Sequence, residues 1–61
     1  MKTNEREFLN GFSVAVATLI KCYDAPTLAR TIIEENGFSL SDFENAKIEE
    51  FDLEYIRQAF E

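Results

Sequence analysis

The chain has 61 residues, 46% of them apolar, with six Phe, two Tyr and a net charge of −6. That length holds one domain, and a chain of about 60 residues buries only about 60% of the surface its unfolded form exposes. Small domains of this kind rely on disulfides, a metal, a second subunit or a dense helical core. Cys22 is the only cysteine and histidine is absent, which excludes an intrachain disulfide and leaves too few nitrogen and sulfur ligands for a zinc site. A helical core or self-association therefore carries the stability.

The first element is a long helix over about residues 4–23. Thr3 or Asn4 is its expected cap, and Glu5 and Glu7 complement its positive end. Phe8, Leu9, Phe12, Ala15, Val16, Leu19, Ile20 and Tyr23 recur at three- and four-residue steps and predict the buried face. Arg6, Asn10, Ser13, Ala17 and Lys21 are expected on the other side, with Val14 among them. Gly11 costs about 1 kcal/mol against alanine in a helix, so its presence suggests close packing or a bend.

Asp24-Ala25-Pro26 then stops one helix and starts the next, over about 25–36, with Asp24 as the expected cap and Pro26 in the first turn. Leu28, Ala29, Ile32 and Ile33 form its predicted buried face. Gly37 supplies the left-handed residue that ends it, and Phe38 the apolar contact back onto Ile33. Ser39 with Asp42 spells a capping box for a short helix over about 39–47, and Phe38 with Phe43 the matching hydrophobic staple. Ser41 with Glu44 is a competing start. Ile48 and Phe51 are expected to pin the connection to the core. Asp52 is the expected cap of the last helix, over about 52–60, with Phe51 and Ile56 at staple positions. No segment alternates with period two. The reading is a single all-α domain spanning 1–61, a compact bundle of one long N-terminal helix and three shorter ones.

The charge is uneven along the chain. Residues 1–30 carry four cations against three carboxylates, and residues 31–61 carry two cations against nine. The second half is thus expected to repel phosphate backbones and anionic lipid and to attract basic partners. The longest apolar stretch, Phe12 to Ile20, is shorter than the roughly 20 residues a membrane span requires. The acidic N-terminal segment does not fit a signal peptide or presequence, and a lone cysteine suits a reducing compartment. The expected location is the cytoplasm.

Catalytic chemistry finds little to work with. The usual proton shuttle near neutral pH is missing. Cys22 has no imidazole to activate it and lies at the negative end of its helix, so it reads as a packed small side chain. Glu34-Glu35 and Glu49-Glu50 are sequence neighbours that diverge on a helix, two glycines cannot build a phosphate loop, and no Asp-x-Asp-x-Asp-Gly register offers a calcium loop. No catalytic, cofactor or metal role is assigned. Leu28-Ala29-Arg30 followed by Gly37-Phe38-Ser39 has the wrong spacing for a helix-turn-helix. The segment that would read DNA, Leu40 to Lys47, sets one lysine against Asp42 and Glu44, so direct nucleic-acid binding is not expected.

Protein binding remains, with two candidate surfaces. One is the small-residue strip Gly11, Val14, Ala17 and Thr18, where a second copy would give a homodimer. The other is the acidic surface Glu49, Glu50, Asp52, Glu54 and Tyr55, continued by Phe60, which suits a basic protein. Gly11-Phe12, Ala25-Pro26-Thr27-Leu28-Ala29, Gly37-Phe38-Ser39-Leu40 and Phe51-Asp52-Leu53-Glu54 together resemble short helical proteins encoded by temperate phages and prophages. That resemblance implies a phage accessory role and assigns no residue a function. The leading expectation is a small acidic interaction module. The alternative is an acidic inhibitor that occupies a nucleic-acid site on a defence or replication protein, in the manner of a DNA mimic.

Overall fold

The computed structural model describes residues 3–61. It contains four helices: α1 (Thr3–Tyr23), α2 (Pro26–Glu35), α3 (Leu40–Asn45) and α4 (Glu50–Ala59). Among the described residues there is no strand. The bundle measures 31 × 22 × 17 Å, and its long axis matches the roughly 30 Å that a helix of 21 residues spans. α1 packs against α2 and α4, α2 packs against α4, and α3 sits on α4.

The core is one cluster built from all four helices and the α3–α4 connection: Leu9, Val16, Ile20, Ala29, Ile33, Phe43, Ala46, Ile48, Leu53, Ile56 and Ala59. Burying a Leu, Ile or Phe side chain contributes roughly 1.5–3 kcal/mol. Phe12, Leu19, Ile32, Phe38, Leu40, Tyr55 and Phe60 cover this cluster as partly buried side chains. Phe12 lies 6.0 Å from both Phe38 and Phe43, ring centroid to centroid, and Phe8 lies 5.7 Å from Phe38. Four phenylalanines thus tie the N-terminal half of α1 to the α2–α3 corner.

That corner follows the sequence closely. Gly37 adopts φ 81°, and Phe38 donates its N–H to the Ile33 carbonyl while Gly37 donates to that of Glu34. These are the two hydrogen bonds of a Schellman ending. The Ser39 N–H and hydroxyl both donate to Asp42 Oδ2, at 2.8 and 3.1 Å, so Asp42 plays its part in the capping box. The Phe38 and Phe43 rings lie 6.5 Å apart in the staple positions. The competing start at Ser41 is not used, and the Ser41 hydroxyl instead lies 3.1 Å from that of Ser39.

Elsewhere the boundaries shift. Thr3 and Asn4, the two expected caps, both lie inside α1. Asp24 does not cap α2. It ends α1 in the left-handed region, at φ 51°, donating its N–H to the Ile20 carbonyl, while Ala25 takes the cap position. α3 stops at Asn45, and Lys47, at φ 56°, turns the chain after it. α4 begins two residues before Asp52, so Asp52 is a first-turn carboxylate and Glu49 holds the cap position. Ile48 and Leu53 then occupy the staple positions, and both are buried. Phe51, expected to pin this connection, is 59% exposed. Leu28 likewise leaves the predicted buried face of α2 and is 52% exposed.

The long helix is rotated about its axis relative to its predicted face. Ser13 and Ala17 are buried, whereas Ala15 is exposed and Phe8 and Tyr23 are more than half exposed. Small side chains let neighbouring helices approach α1 on the Ser13–Ala17 side. Burying Ser13 leaves no polar atom stranded, because its hydroxyl donates to the Asn10 carbonyl at 2.8 Å.

Candidate interaction surfaces

Rotation of α1 settles which part of its strip faces outward. Gly11, Val14 and Thr18 are exposed, joined by Ala15 and Cys22, while Ala17 is 3% exposed and belongs to the interior. Ala17 is therefore removed from the candidate surface, and Cys22 is not the packed side chain its size suggested. Val14 is 54% exposed, and its carbonyl accepts the Thr18 hydroxyl at 2.7 Å, which turns the polar part of Thr18 back onto the helix. A Cβ placed on Gly11 would meet nothing within 4 Å. Close packing inside this chain does not explain the glycine.

The acidic surface lies on the first turns of α4 and the cap before it. Glu49, Glu50 and Glu54 are exposed, while Asp52 and Tyr55 are half-buried. Phe60, at the end of the helix, is half-buried and carries the Arg30 guanidinium 5.0 Å from its ring. Arg57 gathers carboxylates from two helices: Glu50 at 2.8 Å, Glu44 of α3 at 3.6 Å and Glu54 at 3.9 Å. The hydrogen bond to Glu50, with the nearby charges of Glu44 and Glu54, raises the guanidinium pKa above its ordinary value. On α2, Glu34 is paired with Arg30 at 3.1 Å. Part of the negative charge is thus matched internally, and Glu49 and Asp52 form no ion pair among the described residues.

Phe51 was not part of either candidate surface, yet it stands at the edge of the acidic one. Its ring meets Tyr55 edge-on at 5.4 Å and carries the Lys21 ammonium 5.0 Å above it. The signal that Phe51 is outside is its place one residue before a misassigned cap. Moving the helix start back by two residues carries it from the connection onto the helix surface. Among the described residues no cavity opens into the bundle, no cluster of side chains is arranged to hold a metal, and no helix is long and apolar enough to cross a membrane.

The fold and these surfaces define a small four-helix protein with apolar side chains spread over its exterior. No protein-family model, curated protein or solved structure matches the chain.

Proposed function

We propose that this chain is a protein–protein interaction module that works in the cytoplasm through the outer face of α1 and performs no catalysis of its own. The observation that carries this reading is the uncharged run Gly11, Val14, Ala15 and Thr18, exposed along the middle of the longest helix with Val14 at its centre. Gly11, Val14 and Thr18 follow at three- and four-residue steps, so this open face is small and uncharged around one valine, which lets a partner helix come close. A role as a phage accessory protein rests on the sequence resemblance alone. Capture from the native host with the wild-type chain and with Val14→Lys tests the reading. A partner retained by the first at high salt and lost with the second supports it. Identical captures from both would sink it.

A second reading is favoured by Phe51. An exposed aromatic beside Glu49 and Asp52, which form no ion pair among the described residues, suits a basic protein surface, including one that otherwise binds nucleic acid. Its partner would be released by salt and by Glu49→Gln/Asp52→Asn, and would be indifferent to Val14→Lys.

A further inference from the structure

We propose that Phe51 is a stacking platform for an arginine side chain of a basic partner protein, and that Lys21 occupies the platform in the free chain until that arginine displaces it. This rests on the second reading above and names the partner's group and the contact that gates it. Phe51 is 59% exposed, and it is the large apolar side chain that α4 turns outward. Its ring meets the half-buried Tyr55 edge-on at 5.4 Å, which anchors it on the helix. Lys21 reaches across from α1 and places its ammonium 5.0 Å from the ring centroid. That is inside the roughly 6 Å at which an aromatic face attracts a cation. Lys21 forms no ion pair among the described residues, so the chain itself shows this ring taking a cation at the surface.

Charge selects the occupant. Glu49 and Asp52 stand on either side of Phe51 in sequence and form no ion pair among the described residues, whereas Glu50 and Glu54 are drawn to Arg57 with Glu44 of α3. A basic segment laid over Phe51 would find both carboxylates free. A second copy of the chain would bring a further net charge of −6 and be repelled. Of the two basic side chains, arginine suits the ring better. Its guanidinium is planar, weakly hydrated and stacks on aromatic faces, while an ammonium is compact and strongly hydrated. Two cations against one ring repel each other, so the arginine enters as Lys21 leaves. The tethered ammonium is therefore a built-in competitor. It holds off a lone cation and yields to an arginine whose neighbours also neutralise Glu49 and Asp52.

Nuclear magnetic resonance titration of the full chain with capped peptides of alternating glycine and arginine, or glycine and lysine, tests this. Circular dichroism checks that each variant keeps its helices. In the free chain the Phe51 ring current shifts the Lys21 ε-methylene protons upfield. They are expected to return toward the position of a free lysine as the arginine peptide binds. The arginine peptide binds about threefold more tightly than the lysine peptide, and Phe51→Leu removes that preference. Lys21→Ala tightens arginine binding about threefold more than Arg6→Ala, which removes the same charge at the far end of α1. Lys21 signals that stay in place while the peptide binds overturn the displacement. Equal affinity for the two peptides, unchanged by Phe51→Leu, overturns the stacking. If binding in those cases still falls with Glu49→Gln/Asp52→Asn, the acidic reading stands without the aromatic site. Binding of neither peptide sinks both.

Discussion

The backbone N–H of Phe38 donates to the carbonyl of Ile33 at 3.1 Å, so one hydrogen bond both ends α2 and positions the ring that receives Phe8 and Phe12. The bond depends on Gly37, whose φ of 81° lies in the left-handed region. Any side chain there is strained, although a Cβ would meet nothing within 4 Å. Gly37→Ala is therefore expected to cost about 1–2 kcal/mol through backbone strain alone. Gly37→Val is expected to cost more, because β-branching restricts that region further. Urea unfolding followed by circular dichroism measures both. A neutral Gly37→Ala would show that the α2–α3 corner is not held by this turn.

The same backbone region is occupied by two residues that are not glycine. Asp24 and Lys47 have φ of 51° and 56° at the ends of α1 and α3. Asp tolerates this conformation better than Lys, because its short side chain bonds to nearby backbone. Lys47→Gly is thus expected to stabilise the fold by about 1 kcal/mol, and Asp24→Gly by less. The order of the two gains is the test, read as a shift in the urea midpoint at constant slope. An equal gain at both sites would contradict the argument from side-chain chemistry.

These turns show what the sequence discloses and what it conceals. Gly37, Ser39 and Asp42 have one plausible job each, and the structure uses them as their chemistry suggests. Asp24 has two, since an aspartate can cap a following helix or end a preceding one. The sequence between Tyr23 and Pro26 allows either. Asp52 is ambiguous in another way: a carboxylate suits the cap and the first turn alike. Choosing the cap left Phe51 in the connection when it lies on the helix surface, whereas Ile48 stays in the connection and is buried as expected. The α1 face was misjudged because periodicity weighs hydrophobicity, whereas packing also weighs size. Ser13 and Ala17 look polar or neutral by composition, yet small side chains are what a crossing helix needs. Gly11, Val14 and Thr18 were legible as an outer strip; Ala17 was not legible as its buried neighbour.

The rotation of α1 gives an opposed pair of outcomes. Ser13 is 1% exposed, and Ala15, two residues on, is exposed. A lysine at position 13 must place its charge in the core or push α1 away from its neighbours. Ser13→Lys is expected to cost about 3 kcal/mol or more, a large part of the stability of so small a domain. Ala15→Lys is expected to change the stability of the single chain by less than about 0.5 kcal/mol. Thermal unfolding at low protein concentration separates the two. A larger loss at position 15 than at position 13 would mean that α1 faces the core as its hydrophobic pattern alone suggests.

Ser39 and Asp42 allow the short α3 to be probed by itself. Six residues are too few for a helix to persist on propensity, so its ends must hold it. The Asp42 carboxylate accepts both the N–H and the hydroxyl of Ser39, and Phe43 beside it is fully buried. Asp42→Ala is expected to cost about 1 kcal/mol by releasing this cap. Phe43→Ala is expected to cost about 3–5 kcal/mol by emptying the core beneath it. Amide hydrogen exchange distinguishes the mechanisms. Asp42→Ala speeds exchange at the 39–47 segment, whereas Phe43→Ala speeds it throughout the bundle. Global acceleration by Asp42→Ala would show that α3 does not unfold as a local unit.

Arg57 predicts how the protein responds to salt. Its guanidinium faces Glu44, Glu50 and Glu54, three carboxylates from α3 and α4 drawn around one cation. Replacing it with glutamine leaves those carboxylates facing one another with no positive charge between them. All of these groups are substantially solvent-exposed, so mobile ions reach them, and the repulsion falls off once the Debye length is shorter than their separations. Arg57→Gln is therefore expected to lower the melting temperature at low ionic strength and to approach the wild type as sodium chloride is added. In the wild type, added salt screens the attraction to Arg57 as well as the repulsion among the carboxylates, so its own dependence is shallower. Melting temperatures of both proteins across a salt series decide the point. A constant gap between them would mean that Arg57 supports the α3–α4 junction by packing its aliphatic stem, and that its charge contributes little.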